Sequence, residues 1–111
     1  MVLTPAPLFI DVHPGPAGGM AHWVETSDAK RIRVGHWPVE GAKGTVLLFP
    51  GRSEYIEKYG PAANDLAARG LGTIAIDWRG QGLADRLLDD PLIGHVDAFS
   101  DYQKDVAAML R

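Results

Sequence analysis

Two glycine-containing corners are the places in this sequence where chemistry could occur. The first, "PGRSE", covers Pro50–Glu54 and directly follows the apolar run Thr45–Phe49. The second, "DWRGQG", covers Asp77–Gly82 and follows the apolar run "LGTIAI". In an open α/β sheet, ligands bind beyond the carboxyl ends of the strands. If both runs are parallel strands, the two corners lie at the same end of the sheet.

The first corner could present backbone N–H groups to a reacting oxygen. Gly51 leaves room for close approach of the backbone, and the amides of Arg52 and Ser53 lie just past the strand, near the start of a helix. Such groups suit a developing oxyanion, because they are fixed donors at the positive end of a helix. A plain strand-to-helix turn explains the same residues, so both readings stand at this point.

The second corner admits three interpretations. A nucleotide-binding oxidoreductase would use Asp77 with the loop glycines Gly80 and Gly82, but the sequence "GQGLAD" lacks the third glycine of the dinucleotide fingerprint. Asp77, Arg79 and Asp85 could instead form a structural ion-pair network at the base of the loop. Catalysis by these charged residues is the third interpretation, and the ion-pair network is favoured over it.

Metal and cofactor chemistry have little support in the sequence. There are no cysteines, which removes thiolate catalysis and cysteine-based zinc sites. The histidines show no spacing typical of metal ligands; they are His13, His22, His36 and His95. No serine lies in a G-x-S-x-G motif; the serines are Ser27, Ser53 and Ser100. We therefore expect no metal and no cofactor.

Composition and charge narrow the class of protein further. Hydrophobic residues make up 46% and charged residues 23%, which is ordinary for a globular domain. The net charge of −3 argues against a nucleic-acid partner, since no basic face is present to bind phosphates. The longest apolar run, "TVLLF", is far shorter than the about 20 residues of a membrane-spanning helix. A cytoplasmic location is expected.

The elements that would position the two corners follow from the hydrophobic pattern. Residues 1–19 hold four prolines and predict an irregular N-terminal arm. Residues 20–38 alternate in polarity and predict a β-hairpin that turns at Ser27–Ala29. Thr45–Phe49 predicts a buried strand, followed by a helix that begins near Gly60 and ends before Gly70. The run "LGTIAIDW" predicts a second strand, parallel to the first.

The last element is predicted to be a helix after a long polar loop. Ser100 and Gln103 have the spacing of a capping box at its start. Its predicted buried stripe consists of Phe99, Tyr102, Val106, Met109 and Leu110. The order hairpin, strand, helix, strand and helix predicts an α/β fold, with residues 20–111 forming the N-terminal part of one domain.

Together, these motifs resemble a known family. The segments "VLLFPGRSEYIEKY", "LAARGLGTIAIDWRGQGLAD" and "HVDAFSDYQKDVAAML" resemble the N-terminal part of α/β-hydrolases of the lysophospholipase and monoacylglycerol-lipase branch (serine aminopeptidase S33 type). The resemblance extends over roughly residues 20–111. It implies a serine hydrolase that cleaves carboxylic esters, such as lysophospholipids or monoacylglycerols.

The resemblance also implies roles for residues of the first corner. Gly51 matches the glycine of the family's H-G corner, and Arg52 matches the residue whose backbone N–H forms half of the oxyanion hole. Glu54 and Tyr59 match positions that brace this loop. Pro50 stands where relatives carry a histidine, so the function of that imidazole is absent here or supplied differently.

For the second corner the resemblance implies a largely structural role. Asp77, Arg79, Gly80 and Gly82 match the family's D-x-R-G-x-G loop. Gln81 occupies a position where histidine is common in relatives.

The resemblance places the nucleophile elbow, the catalytic acid and the catalytic histidine after Arg111. We therefore expect these 111 residues to be a portion of the fold truncated before the nucleophile strand, and to be inactive alone. The strand Thr45–Phe49 would then expose an apolar edge, through which the chain could pair with the remainder of the fold. A non-catalytic module that pairs with another chain through this edge is a further alternative.

Overall fold

The computed structural model describes residues 4–51, 54–88 and 94–110, which form a mixed five-stranded sheet and two helices. The strands are β1 (Thr4–Ala6), β2 (Met20–Glu25), β3 (Arg31–Trp37), β4 (Gly44–Leu48) and β5 (Leu71–Asp77). The helices are α1 (Gly60–Ala68) and α2 (Tyr102–Met109), and a 3₁₀ turn precedes each, at Ile56–Tyr59 and Phe99–Asp101. The predicted α/β class and the order of elements are confirmed.

The sheet order brings the ends of two parallel strands together. The strands lie in the order β1-β2-β3-β5-β4, and all pairs are antiparallel except β4 with β5. In the parallel pair, Leu48 lies opposite Ala75, and α1 connects the two strands. Both glycine-containing corners therefore follow strands that end at the same edge of the sheet.

Helices cover the two faces of the sheet through separate apolar clusters. Alternate residues of β5 point to opposite faces, so Ile76 packs with α2 whereas Ala75 packs on the α1 side. The α2-side cluster comprises Val24, Ile32, Ile76, Ala84, Ala108 and Met109. The α1-side cluster comprises Ala21, Trp37, Ile56, Ala63 and Ala75. Burial on both faces explains why β5 carries apolar side chains at the consecutive positions 74–76.

The N-terminal arm is not irregular throughout, as the sequence had suggested. Thr4–Ala6 forms β1, which pairs antiparallel with β2 and places Pro5 opposite His22. Proline cannot donate to a ladder, but a short strand at the sheet edge tolerates it. The arm is thereby attached to the same sheet as the remaining strands.

The predicted turn of the hairpin and the ends of α1 agree with the structure. The Thr26 amide donates to the Lys30 carbonyl oxygen at 2.8 Å and closes the turn that contains Ser27–Ala29. A 3₁₀ turn precedes Gly60, which begins α1, with a proline in its first turn. Both features were expected from the sequence.

The predicted details of α2 are wrong in two respects. Ser100 lies inside the 3₁₀ turn that leads into the helix, and no side chain caps either start, so there is no capping box. The expected stripe is only partly right: Met109 is buried as predicted, whereas Phe99 is 83% exposed and Leu110 is 60% exposed. The buried residues of α2 are Asp105, Ala108 and Met109. Asp105 and Ala108 were missed because the prediction relied on large apolar side chains.

None of the helices in the three described segments has the length and apolarity needed to cross a membrane.

Candidate functional site

A single buried carboxylate joins the two corners. Asp77, at the end of β5, is 1% exposed. Its Oδ1 accepts a hydrogen bond from the Ile56 amide at 2.9 Å, and its Oδ2 accepts one from the Leu83 amide at 3.0 Å. Oδ2 also accepts from Arg33 Nε at 2.8 Å. The segment after the first corner and the loop of the second corner therefore hold one common anchor.

Arg33 and Glu57 extend this anchor into a buried charged cluster. The two guanidinium NH groups donate to the two carboxylate oxygens of Glu57, each at 2.6 Å, and both side chains are at most 3% exposed. Such bidentate geometry is the strongest form of this ion pair. Burial raises the pKa of Glu57, but the hydrogen bonds and charge of Arg33 and the hydrogen bond from the Phe9 amide together outweigh that effect and keep the pKa below its ordinary value. Burial raises the pKa of Asp77 above its usual range, although the Arg33 charge opposes the rise.

The same cluster holds the N-terminal arm. Arg33 NH1 donates to the Pro7 carbonyl oxygen at 2.8 Å, and the Phe9 amide donates to Glu57 Oε2 at 3.0 Å. Nothing in the sequence pattern connects Arg33 with either corner. Its partners lie 24 and 44 residues away along the chain, so no local pattern could have identified them.

At the first corner, the Gly51 amide is held by the side chain of Glu54. Gly51 N donates to Glu54 Oε1 at 2.6 Å, and the Tyr59 hydroxyl donates to the same oxygen at 2.7 Å. Lys58 Nζ contacts the other oxygen of Glu54. Hydrogen bonds from Lys58, from Tyr59 and from Gly51 N–H lower the pKa of Glu54 to about 2, so this carboxylate is ionised at neutral pH.

Arg52 and Ser53 lie outside the described residues, and the oxyanion role expected of the Arg52 amide stays a prediction. On the near side of the corner, Pro50 is buried and its carbonyl oxygen accepts from the Trp78 indole N–H at 2.8 Å. The Trp78 ring also stacks on Phe49 with centroids 5.7 Å apart. These contacts tie the end of β4 to the residue that follows β5.

At the second corner, Arg79 lies in an ion-pair cluster of its own. Arg79 is 1% exposed; its Nε donates to Asp105 Oδ1 at 2.9 Å, and its NH1 donates to Asp28 Oδ2 at 2.7 Å. The Arg79 amide also donates to Asp105 Oδ2 at 3.0 Å. The hydrogen bonds from Arg79 lower the pKa of Asp28 well below its usual range. The cluster fastens the loop to the hairpin turn and to α2.

The single ion-pair network expected of Asp77, Arg79 and Asp85 is therefore not formed. Asp77 pairs with Arg33, whereas Asp85 accepts from the backbone amide of Arg31 at 2.8 Å. The three residues belong to three separate contacts, because their side chains point to different neighbours around the loop. Their structural role stays a prediction.

The loop glycines adopt backbone conformations that favour glycine. Gly80 has φ of 80° and Gly82 has φ of 50°. A Cβ at position 82 would collide with the Asp77 carboxylate. Gly80 N donates to the Asp85 carbonyl oxygen at 2.8 Å, which closes the loop. Because the backbone packs closely against Asp77, position 82 requires glycine.

Within the described ranges, no group of three or more potential ligands is arranged to hold a metal ion. His13 Nε2 lies 3.1 Å from the Tyr55 hydroxyl, and His95 Nε2 lies 2.8 Å from Asp97 Oδ1. His13 therefore joins the arm to the segment that follows the first corner, whereas His95 has its partner within the loop before α2.

Together, the parallel β4-α1-β5 unit, the antiparallel strands beside it and the corners at the strand ends define an α/β-hydrolase type of fold. The chain belongs to the serine aminopeptidase S33 family, whose model matches residues 40–111. The resemblance seen in the sequence is thus confirmed.

Two relatives with assigned names match part of the chain. Lysophospholipase L2 of Escherichia coli strain K12 is 49% identical over 63 residues, which are 57% of this chain and 18% of that protein. The probable lysophospholipase L2 of Haemophilus influenzae is 32% identical over 73 residues, 66% of this chain and 23% of that protein. The chain thus spans about a fifth of the length of these relatives.

Solved structures support the fold. A structure of DcsB in complex with its substrate analogue superposes with a TM-score of 0.62 at 24% identity, over 84% of this chain and 30% of that chain. The bottromycin epimerase BotH, in complex with bottromycin A2, gives a TM-score of 0.60 at 24% identity, over 81% of this chain and 33% of that chain. At this identity the likeness concerns the architecture.

Proposed function

We propose that these residues form the N-terminal part of a serine hydrolase that cleaves carboxylic esters, with lysophospholipids as the first candidate substrates. Family membership supports the hydrolase class, and the names of the two relatives support the lipid ester. Monoacylglycerols are the second candidate within the same class.

The observation that carries this proposal is the common anchor of the two corners at Asp77. An oxyanion hole requires donors held rigidly where charge develops, because donors that must reorganise stabilise the transition state less. The Gly51 amide is engaged by Glu54, and the following segment is fixed at Ile56 by Asp77. These two attachments flank the backbone of Arg52 on either side along the chain.

In the proposed mechanism, a serine outside the 111 residues attacks the ester carbonyl carbon while a histidine accepts its proton. The oxygen that becomes negative is held by the Arg52 amide and by the amide after the nucleophile. On collapse of the tetrahedral intermediate, the histidine donates that proton to the leaving oxygen, which departs as the alcohol; water then attacks the acyl-serine and releases the carboxylic acid. Arg52 contributes through its backbone, and its guanidinium has no part in the step.

The proposal is tested by two substitutions at position 52 in the protein that carries the nucleophile. Arg52→Pro removes the N–H and should reduce kcat for a p-nitrophenyl ester by about 10²–10³. Arg52→Ala keeps the N–H and should retain kcat within a few-fold. Full activity of Arg52→Pro would refute the assigned role. The 111-residue chain alone should show no turnover, because none of its serines lies in a nucleophile elbow.

The name of the family, serine aminopeptidase, indicates a second candidate activity, which is the removal of N-terminal amino acids from peptides. Both reactions use an acyl-enzyme and an oxyanion hole, so the leaving group distinguishes them. Lysophosphatidylcholine and an aminoacyl p-nitroanilide should be assayed side by side. We expect hydrolysis of the ester; hydrolysis of the anilide alone would replace the proposal with aminopeptidase activity.

The nucleotide-binding alternative has no support in the geometry around Asp77. That carboxylate is buried and already accepts hydrogen bonds from Arg33, Ile56 and Leu83. It is therefore not placed to accept from ribose hydroxyls, as a dinucleotide site requires. Titration with NADH should leave the nucleotide fluorescence unchanged.

A further inference from the structure

An apolar groove lies between the N-terminal arm and the two corners. It has a volume of about 240 Å³ and is largely open to solvent. Its lining consists of Phe9, Val12, Tyr55, Glu57, Gly82 and Leu83. Ligand sites are typically concave and lined mainly by apolar side chains. The groove exceeds the about 150 Å³ of a dry engineered cavity that takes up benzene.

The arm forms one wall of this groove through specific contacts. The Phe9 amide donates to Glu57 Oε2 at 3.0 Å, and Arg33 NH1 donates to the Pro7 carbonyl oxygen at 2.8 Å. Further along the arm, His13 Nε2 and the Tyr55 hydroxyl are hydrogen-bonded at 3.1 Å. Three hydrogen bonds thus hold the arm in place, so this wall of the groove has a defined position.

The polar groups of the lining are already engaged. The Glu57 carboxylate accepts two hydrogen bonds from Arg33, which also neutralise its charge. The Tyr55 hydroxyl is occupied by His13. By contrast, the apolar side chains remain partly open to solvent, with Phe9 at 50%, Val12 at 55% and Leu83 at 40% exposed. A hydrocarbon suits this lining better than a sugar, a phosphate or a charged headgroup.

The position of the groove connects it to the reaction. Tyr55 and Leu83, on two sides of the groove, belong to the two segments that Asp77 anchors through the neighbouring Ile56 amide and the Leu83 amide. Tyr55 also follows the Gly51 corner by four residues. The groove therefore lies against both segments that Asp77 anchors, one of which follows, along the chain, the loop that the proposed function assigns to the oxyanion.

We propose that this groove binds the alkyl part of a single acyl chain of the substrate, an inference that rests on the proposed function for the identity of the ester. A chain that fills the groove transfers its methylenes out of water. Each buried methylene contributes about 0.8 kcal/mol, which corresponds to about fourfold in affinity. Selectivity for longer acyl chains follows from this contribution.

Binding is tested directly by titrating the protein with decanoate and butyrate, using calorimetry below the micelle concentration. Decanoate should bind at least tenfold more tightly than butyrate. Leu83→Asp should weaken decanoate binding at least tenfold, whereas Leu88→Asp should not. Leu88 is a matched control, because it lies in the same loop and is 42% exposed but does not line the groove. Equal effects of the two substitutions would overturn the proposal.

A second variant and a second ligand separate the acyl groove from a lipid-surface contact. Val12→Trp fills the groove without adding charge and should also abolish decanoate binding. Ile10 is 59% exposed in the same arm but does not line the groove, so Ile10→Asp should leave binding unchanged. If Ile10→Asp and Leu83→Asp weaken sedimentation with phosphatidylcholine vesicles equally, while decanoate does not bind, the arm contacts a lipid surface and the groove assignment is wrong.

Turnover separates this inference from the proposed function. In the protein that carries the nucleophile, Leu83→Asp should lower kcat/KM for a decanoyl ester at least tenfold and spare the acetyl ester. An equal loss on both esters would refute acyl binding in the groove but would leave the proposed hydrolase function intact. If no ester is hydrolysed but decanoate still binds in a Leu83-dependent manner, the proposed function fails and the groove remains.

Discussion

At the scale of single residues, the buried charges of this protein are arranged as connectors between distant segments. Arg33 lies on β3, and its two carboxylate partners lie in the 3₁₀ turn and at the end of β5. Buried ion pairs add little net stability compared with apolar residues, but removing one partner leaves an uncompensated charge. Arg33 therefore acts mainly by holding together segments that are distant along the chain.

Glu57→Gln tests this cluster. The substitution keeps the shape of the side chain but removes the charge opposite Arg33, which is 1% exposed. We expect the free energy of unfolding to fall by about 3–5 kcal/mol, measured by urea denaturation with a comparison of midpoints and slopes. The exposed Glu40→Gln is the control and should change stability by less than about 0.5 kcal/mol. A similar small change in Glu57→Gln would contradict the assigned role.

Asp28 provides a pH-dependent test of the Arg79 cluster. Hydrogen bonds from Arg79 lower the pKa of Asp28 below its ordinary 3.8, so ionised Asp28 favours the folded state. That contribution is complete above the unfolded value and is lost as the pH falls through the folded value. Asp28→Asn should cost about 2 kcal/mol at pH 7, because it weakens charge-assisted hydrogen bonds to a buried guanidinium.

The difference between Asp28→Asn and the unsubstituted protein should narrow as the pH is lowered below about 4. Urea denaturation at a series of pH values measures it. Asp65→Asn, at an exposed position of α1, should follow the unsubstituted curve. A difference that stays constant down to pH 2 would contradict the link between Asp28 charge and stability.

At the scale of elements, the sequence predicts those parts whose signals are local. The run Thr45–Phe49 ends at a Pro-Gly corner, and the next run ends at Asp77, so β4 and β5 could be located from the pattern alone. The buried face of α2 could be located only in part, because Ala108 is small and Asp105 is a charged residue that is buried through its hydrogen bonds to Arg79. The anchor at Asp77 was equally hidden, since its donors come from three separate segments.

The face of α2 leads to a prediction at this scale. Met109 is 8% exposed and packs in the cluster with Ile76, whereas Leu110 is 60% exposed. Met109→Ala should lower the free energy of unfolding by about 2–3 kcal/mol, because it leaves a cavity between helix and sheet. Leu110→Ala removes a similar amount of hydrocarbon and should cost less than about 0.5 kcal/mol. Equal losses, measured by thermal and urea denaturation, would show that the helix is rotated.

At the scale of the whole molecule, the sheet is protected unequally at its two sides. β1 ends one side with a three-residue strand that contains Pro5, which limits further pairing. In the described part of the chain, β4 ends the other side, and the apolar Leu47 and Phe49 are 39% and 47% exposed there. An apolar strand at a sheet edge is a template for another strand. We propose that β4 pairs with the remainder of the fold when that is present.

Studied alone, the 111-residue chain should therefore associate with itself through β4. Sedimentation velocity should reveal oligomers whose share rises with protein concentration, since the edge is satisfied by a second copy. Leu47→Lys places a charge on the edge strand and should shift the population toward monomer, as charged edge residues do in natural sheets. Phe99→Lys is the matched control, because Phe99 is 83% exposed and belongs to the turn before α2, not to a strand of the sheet. If the oligomers persist in Leu47→Lys but dissociate in Phe99→Lys, the contact between copies lies at the turn before α2 instead.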